Sequence, residues 1–567
     1  MRSHLISQTN LVCTVIVLAL LQTVSVAAER IQMVKQNSVV EVEAISKRAY
    51  QNPFVEVTVD AVVTTPAGKS LRVPAFWKGN DQWAFRYASA ELGVHTWILD
   101  CSDKTNSGLH GLVGSIQVKP YLGANPLLRH GAVRISDGSR HFSHADGTPF
   151  FWLADTWWKG LCKRLTWDGF QELTDDRVKK GFTAIQIVCG PYPDEGMMEG
   201  RWENEGGMPY TAKDFSVINP AYFEFADRRI AHLVEAGLVP VIVGGWGRPQ
   251  GGGRSTLDQV GIAGFKRHWR NLIARYGAYP TIWIVGGEAK DEWGPWSELA
   301  KYLDDTDPYQ RPMTYHSPEH PRKSIKDNAV FDFDMVAIGH SGFQTAKETL
   351  DIMKSSHVDK PQRPVLCGEA CYEGHMQSNF QDVQRHLFWT FILSGAAGHT
   401  YGAAGIWHAG IEGDAGHTGL KGQEYDFTTW KEGMVYPGAY QIGLGKKLIE
   451  KFQWHRFETH PEWVEEGCFA AGISGEVRVI YRPKGANYDW SGPLVKNLEP
   501  TVDWHAYYFD PASGRVFDQG IIKAAASQTE EAAKPLEYRK NIPSPQDWVL
   551  VLERVTARVG SRYTDPK

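Results

Sequence analysis

The chain contains no block of basic residues. Its 60 Lys and Arg are scattered among 65 Asp and Glu, for a formal charge of -5, so the concentrated positive field that holds nucleic acid is missing and no nucleic-acid partner is expected. Cysteine is scarce, 7 in 567 residues, too few and too dispersed for a dense disulfide framework. Cys367 and Cys371 flank Glu369 with three residues between them, which is neither a C-x-x-C redox pair nor a zinc pair, and they read as small buried hydrophobes. There is no H-E-x-x-H, and no G-x-G-x-x-G opens the first strand-to-helix crossover. GGWGRPQGGG, residues 244–253, lacks the G-K-[ST] ending of a phosphate cradle and reads as a mobile loop. GHSGF, residues 339–343, carries Phe where a serine-hydrolase elbow needs its last Gly. No metal and no redox cofactor is implied.

One apolar run, LVCTVIVLALL, lies within residues 1–28 and is shorter than the ~20 residues of a spanning helix. With Arg2 ahead of it and SVAA behind, it reads as an export signal cleaved before Glu29. The mature protein is expected to be secreted or periplasmic, with no membrane association after cleavage.

What is present is apolar material, 42% hydrophobic and 12% aromatic, enough for two or three domains. Residues 30–121 alternate in period two through VEVTVDAVVTTP, QWAFRYASAELGVHTWILDC and LVGSIQVKP, with turns at PAGK and KGND. That pattern predicts an N-terminal β-sandwich with Trp83 and Phe85 in its core. Residues 125–450 switch rhythm. Asn219 and Pro220 cap a helix with Phe223, Ala226, Ile230 and Leu233 on one face, and FKRHWRNLIARY stripes Phe265, Trp269, Leu272 and Tyr276. Eight candidate strands alternate with such helices, within FFWLADTWW, FTAIQIV, VPVIV, TIWIV, RPMTYH, FDMVAIG, RPVLCG and AAGHTY. The fold class is α/β, a central (β/α)8 TIM barrel. A doubly wound open sheet is the competing arrangement, and it lacks its glycine fingerprint. Residues 451–556 return to hairpins, EVRVIYRP, HAYYFDPASGRVFD and DWVLVLE, a C-terminal small β-sandwich interrupted by the loop KAAASQTEEAAKP.

In such a barrel the reactive groups sit at the carboxyl ends of the strands. TIWIVGGEAKDEW ends the fourth strand at Glu288, and PVLCGEACYEG ends the seventh at Glu369. Two carboxylates across one mouth suit glycoside hydrolysis: one is protonated to assist the leaving oxygen, the other ionised to attack the anomeric carbon or activate water. Glu288 and Glu369 are the candidate pair, and Glu373, four residues on, is a candidate substrate contact. Gly286, Gly287 and Gly368 are expected to let substrate approach the backbone. Other strand ends supply candidate substrate contacts: Asp155, His316, His340, His399 and Tyr401, together with a tryptophan set, Trp157, Trp158, Trp246, Trp293 and Trp407, on which sugar C–H faces could lie. The competing reading is a non-catalytic carbohydrate-binding protein on the same scaffold.

GTPFFWLADTWW, TIWIVGGE, RPVLCGEACYEG and LSGAAGHTYG resemble the apiosidase-like glycoside hydrolases, family 140 and its wider barrel relatives. FWKGNDQWAFRYASAELGVHTW resembles the β-sandwich that precedes that barrel, and AYYFDPASGRVF the small domain, named for collagen binding, that follows it. The resemblance implies a carbohydrate substrate and makes Glu288 and Glu369 the catalytic pair, Glu288 as the acid by its strand-four place in barrel glycosidases of this kind and Glu369 as the nucleophile or base, with Glu373 the substitute should Glu369 be structural. It also marks a departure, because relatives carry aspartate after the paired glycines where this chain has glutamate, which changes the carboxylate gap that separates inversion from retention.

Overall fold

A computed structural model describes residues 31–555 except 137, 192–199, 248–254, 338, 370, 415–416, 419–423, 487–489 and 525–534. The segment expected to be an export signal, most of the Gly-rich loop and most of the alanine-rich insertion therefore lie outside the described residues.

The N-terminal strands form one seven-stranded sheet that folds over itself, because Ser70–Gly79 pairs through its first half with Val59–Thr64 and through its second with Gln82–Tyr87. Alternation puts Val59, Ala61, Val63, Phe85, Trp97, Leu99 and Ile116 into the space between the layers, with Trp83 buried beside them as expected. The run VEVTVD alternates from Val55, yet the strand begins only at Val59, since Pro53 starts a helical turn, Pro53–Glu56. Arg86 fastens this domain to the barrel, donating to Asp227 at 2.6 Å and to the Arg275 carbonyl at 2.8 Å.

Eight parallel strands follow: β1 (Trp152–Trp157), β2 (Ala184–Val188), β3 (Val239–Val243), β4 (Ile282–Gly287), β5 (Met313–His316), β6 (Asp334–Ala337), β7 (Val365–Glu369) and β8 (Gly398–Tyr401). Their order is 5-4-3-2-1-8-7-6, and a bridge between Ser317 and Val336 joins β5 to β6 and closes the cylinder. The helices form where their apolar stripes predicted them. In Pro220–Glu235, Asn219 accepts from the Ala221 N–H, Pro220 occupies the first turn, and Phe223, Ala226, Ile230 and Leu233 are buried; Gly237, at φ 84°, ends the segment in a left-handed turn. One set of strand residues, including Ala154, Ala184, Val241, Ile284 and Leu366, fills the cylinder, and the alternate set, including Leu153, Ile185, Ile242, Trp283 and Val285, packs under the helices. Phe142, from a small three-stranded sheet, plugs the amino end against Trp152 and Phe333, with ring centroids 5.3 and 5.1 Å away.

The C-terminal domain is a six-stranded sheet with a two-stranded partner over a core of Trp463, Ile480, Trp504, Tyr508, Trp548 and Leu550. The other face of that sheet, Val479, Tyr481, Tyr507, Phe509, Val549 and Val551, continues into the barrel's helix layer. Among the described residues no helix is long and apolar enough to cross a membrane.

Candidate active site

Glu288 and Glu369 both emerge at the carboxyl end of the cylinder, one just past β4 and the other closing β7. In each strand the register slips just before the glutamate. On β4, Ile284 pairs with Thr314 but Gly287 with His316; on β6 and β7, Val336 pairs with Cys367 but Ala337 with Glu369. Each slip inserts one residue, a β-bulge that breaks the alternation of faces and re-aims the side chain that follows. Glu288 additionally adopts φ 48°, a left-handed conformation that a non-glycine residue holds at a cost of the kind stored at functional sites.

The glycines of these bulges serve packing instead of substrate approach, which corrects the expectation from sequence. A Cβ on Gly286 would lie 2.4 Å from Trp296, one on Gly287 2.4 Å from Trp246, and one on Gly368 2.4 Å from Met335. Indoles and a thioether already occupy the space.

His316 ties the two carboxylate positions together. Its carbonyl accepts the Glu288 N–H at 2.7 Å, and its Nε2 lies 3.1 Å from Glu369 Oε2, off the hydrogen-bond direction. His340 completes the clamp. Its Nδ1 accepts the Tyr372 backbone N–H at 3.1 Å, so the ring proton resides on Nε2, which donates to Glu369 Oε1 at 3.1 Å. Burial pushes the Glu369 carboxyl up, but the two imidazoles set against it, His316 and His340, outweigh it and hold the group well below the usual carboxylate range.

Around this clamp stand Trp158, Trp246 and His316, with ring centroids 5.3 to 5.6 Å apart. The Trp158 N–H donates to the Tyr372 hydroxyl at 3.0 Å. Sequence reasoning missed four residues that complete the wall. Gln186 reaches across the cylinder from β2 to donate to the Gly368 carbonyl at 3.0 Å. Tyr372 packs on His340 at 4.7 Å. His375 donates from Nδ1 to Asp426 at 2.5 Å, and Asp426 also accepts from Trp407 at 3.1 Å, which places Trp407 in the same wall. A lone polar residue within an apolar strand, Gln186 in AIQIV, was the available signal; Asp426 lies far along the chain and carried none. Trp246 Nε1, Gln186 Oε1 and both ring nitrogens of His316 are buried without a hydrogen-bond partner among the described residues, as groups awaiting a polar ligand would be.

Five expected contacts lie elsewhere. Asp155 and Trp157 share the parity of Leu153 and face the helix layer: Asp155 accepts from Arg177 Nε at 2.6 Å and from the Trp157 indole at 2.7 Å, with both members of the ion pair fully buried. His399 and Tyr401 face outward likewise. His399 packs on Phe388 and Phe391, and burial pushes its imidazole down to about 3. Tyr401 donates to Glu373 at 2.6 Å, and Glu373 also takes the Gly438 N–H at 3.1 Å, at the start of helix Pro437–Ile449. Glu373 thus braces a helix behind the mouth, and burial, partly offset by those two hydrogen bonds, pushes its carboxyl up to about 7. Thr400, of opposite parity to both, points inward and accepts from Trp152 at 3.0 Å. Trp293 is half-buried beside Lys290. Among the described residues no three His, Cys, Asp or Glu side chains cluster as a metal site requires.

A closed parallel barrel with carboxylates, imidazoles and indoles gathered at its carboxyl end belongs to the architecture of barrel glycosidases. The model of the apiosidase-like catalytic domain matches residues 136–456, more than half of the chain, and a domain of unknown function, DUF5060, matches residues 33–102. The chain belongs to the apiosidase-like family and is a glycoside hydrolase. Solved structures share the fold at low identity. A Bacteroides vulgatus protein provisionally named a glycoside hydrolase is 16% identical, with TM-score 0.70 over 92% of this chain and 100% of its own. A family 5 glycoside hydrolase from the same organism is 18% identical, with TM-score 0.64 over 78% and 97%. A third, named glycoside hydrolase, is 19% identical, with TM-score 0.62 over 76% and 98%. No curated protein is significantly similar in sequence.

Proposed function

We propose that Glu369 and Glu288 are the catalytic pair of an exported glycosidase that trims a polysaccharide or its side chains, with an apiosidase-like specificity. The observation that carries this reading is the His316–Glu369–His340 clamp, which favours the ionised form of one carboxylate at the same end of the cylinder where the strand-four glutamate emerges. An ionised, desolvated carboxylate is suited to attack an anomeric carbon or to take a proton from water. Glu288 supplies the proton to the departing oxygen. Trp158, Trp246 and Trp407 offer ring surfaces, while Gln186, His316 and His375 offer donors and acceptors to hydroxyls. The barrel of residues 125–450 carries this chemistry, and residues 30–121 and 451–556 brace it.

Incubating the full-length protein with branched pectic and arabinose-containing oligosaccharides, with product anomers followed by NMR, tests the proposal. Release of a terminal sugar by the wild type and not by Glu369→Gln supports it, and the first anomer seen assigns retention or inversion. Sugar binding by both proteins with release by neither would favour a carbohydrate-binding protein.

A further inference from the structure

At the amino end of the cylinder, away from the mouth, a cleft of about 640 Å³ opens between barrel and C-terminal domain. One wall holds Phe151 and Ala397, the residues just ahead of β1 and β8; the other holds Trp454–Arg456, the edge strand Glu458–Thr459 and the end of its neighbour Phe469–Ile473. Its volume is within the ~300–1,000 Å³ of small-ligand sites. The two walls are locked together. Arg385, on a barrel helix, makes a two-pronged ion pair with Asp547 of the C-terminal domain at 2.8 and 2.9 Å, and Trp389 stacks on Tyr481 at 6.3 Å. The cleft is therefore preformed, so a ligand would not have to order it.

Its lining has a particular chemistry. Trp454 makes edge-to-face contacts with Phe151 at 5.0 Å, His141 at 6.0 Å and His455 at 6.1 Å, while its indole N–H has no hydrogen-bond partner among the described residues. The Arg140 guanidinium and the Glu458 carboxylate are exposed and without an ion pair among those residues. Arg456 and Glu476 satisfy each other at 3.0 Å. Burial lowers the pKa of both His141 and His455, which favours the neutral imidazole with its one donor and one acceptor. The charges balance, which gives an ionic ligand no surplus counter-charge. An apolar ligand would leave the donors and acceptors unmet. A ring with hydroxyls at its rim and C–H groups on its faces satisfies both needs.

We infer that this cleft is a second carbohydrate-binding site that takes a neutral segment of a polysaccharide. Membership of a glycosidase family supplies the ligand class, and the inference does not depend on which residues catalyse. A chain held here and at the mouth engages two sites of one molecule, which raises the effective concentration of its branches at the mouth when the chain is long enough to span both.

Affinity electrophoresis of the full-length Glu288→Gln/Glu369→Gln variant in gels containing soluble arabinan, galactan or xylan tests this. Retardation by at least one polymer is expected. Adding Trp454→Ala should weaken it about 10-fold and adding Arg140→Ala about 3-fold, whereas adding Trp246→Ala at the mouth should leave a Trp454-dependent component. Arg140 is exposed, so its loss reads binding even where Trp454→Ala disturbs packing, and an unchanged melting temperature checks both. Retardation indifferent to Trp454 and Arg140, or confined to acidic polygalacturonan, or absent in every gel, overturns the inference. If retardation depends on Trp454 while the wild type releases no sugar from any substrate, the cleft stands and the catalytic reading falls.

Discussion

Glu369 and Glu373 stand four residues apart in one segment, the first largely and the second fully shielded from water, yet their carboxyls are driven in opposite directions. Glu369 faces two imidazoles and is held well below the usual range; Glu373 faces a phenol and one backbone N–H and is pushed up to about 7. Burial raises both. What separates them is the kind of neighbour each meets, two imidazoles against one phenol and one backbone N–H, and that depends on which side of β7 and its following loop each side chain takes. The bulge at Gly368 sends Glu369 into the mouth, and pairing of Glu373 with the β8 side, through the Gly402 carbonyl at 2.9 Å, turns its carboxylate behind the mouth to helix Pro437–Ile449.

The contrast is most directly broken by exchanging the acids for amides. Glu369→Gln should lower kcat on the order of 10³-fold or more with the fold intact, measured as sugar release per folded molecule; near-wild-type turnover would move catalysis elsewhere. Glu288→Gln should cost on the order of 10² to 10⁴-fold on substrates with poor leaving groups, and much less on aryl glycosides whose leaving group needs no proton. His340→Ala tests the clamp itself. With one donor gone and burial unchanged, the Glu369 pKa should rise, so the acid limb of the kcat/KM profile should move upward by about one unit, a displacement that a purely structural His340 would not produce.

Glu373→Gln should leave turnover closest to wild type and alter stability instead. The folded chain keeps the Glu373 proton up to about pH 7, whereas an unfolded chain releases it near ~4.3. Between those values folding takes up a proton, so wild-type stability falls as pH rises. The amide removes that slope, and thermal melts should show the variant gaining on the wild type from pH 5 to pH 8. A constant difference across that range would contradict the buried, protonated state.

The three β and α/β regions, the eight strands in order and the striped faces of helices such as Pro220–Glu235 were legible in the chain, because each follows from local period and capping. The two glutamates at the ends of β4 and β7 were legible for the same reason: an apolar run, glycine and an acid form a local pattern. The sides taken by Asp155, Trp157, His399 and Tyr401 were not. Parallel barrel strands are buried on both faces and read as continuous apolar runs, so the sequence offers no alternation from which to tell cylinder from helix layer. Gln186 was overlooked within such a run.

By itself, then, the order of residues determined where strands and helices form and which acids stand at strand ends, since hydrophobic period, caps and turn residues act over a few positions. Only the closed tertiary structure decided which of those side chains enter the mouth and in what charge state. Parity, bulges at Gly286–Gly287 and Gly368, and neighbours as distant in sequence as Glu288, His316 and Glu369 are fixed only when eight strands close on one another, and a carboxylate's proton is governed by the groups that closure sets beside it.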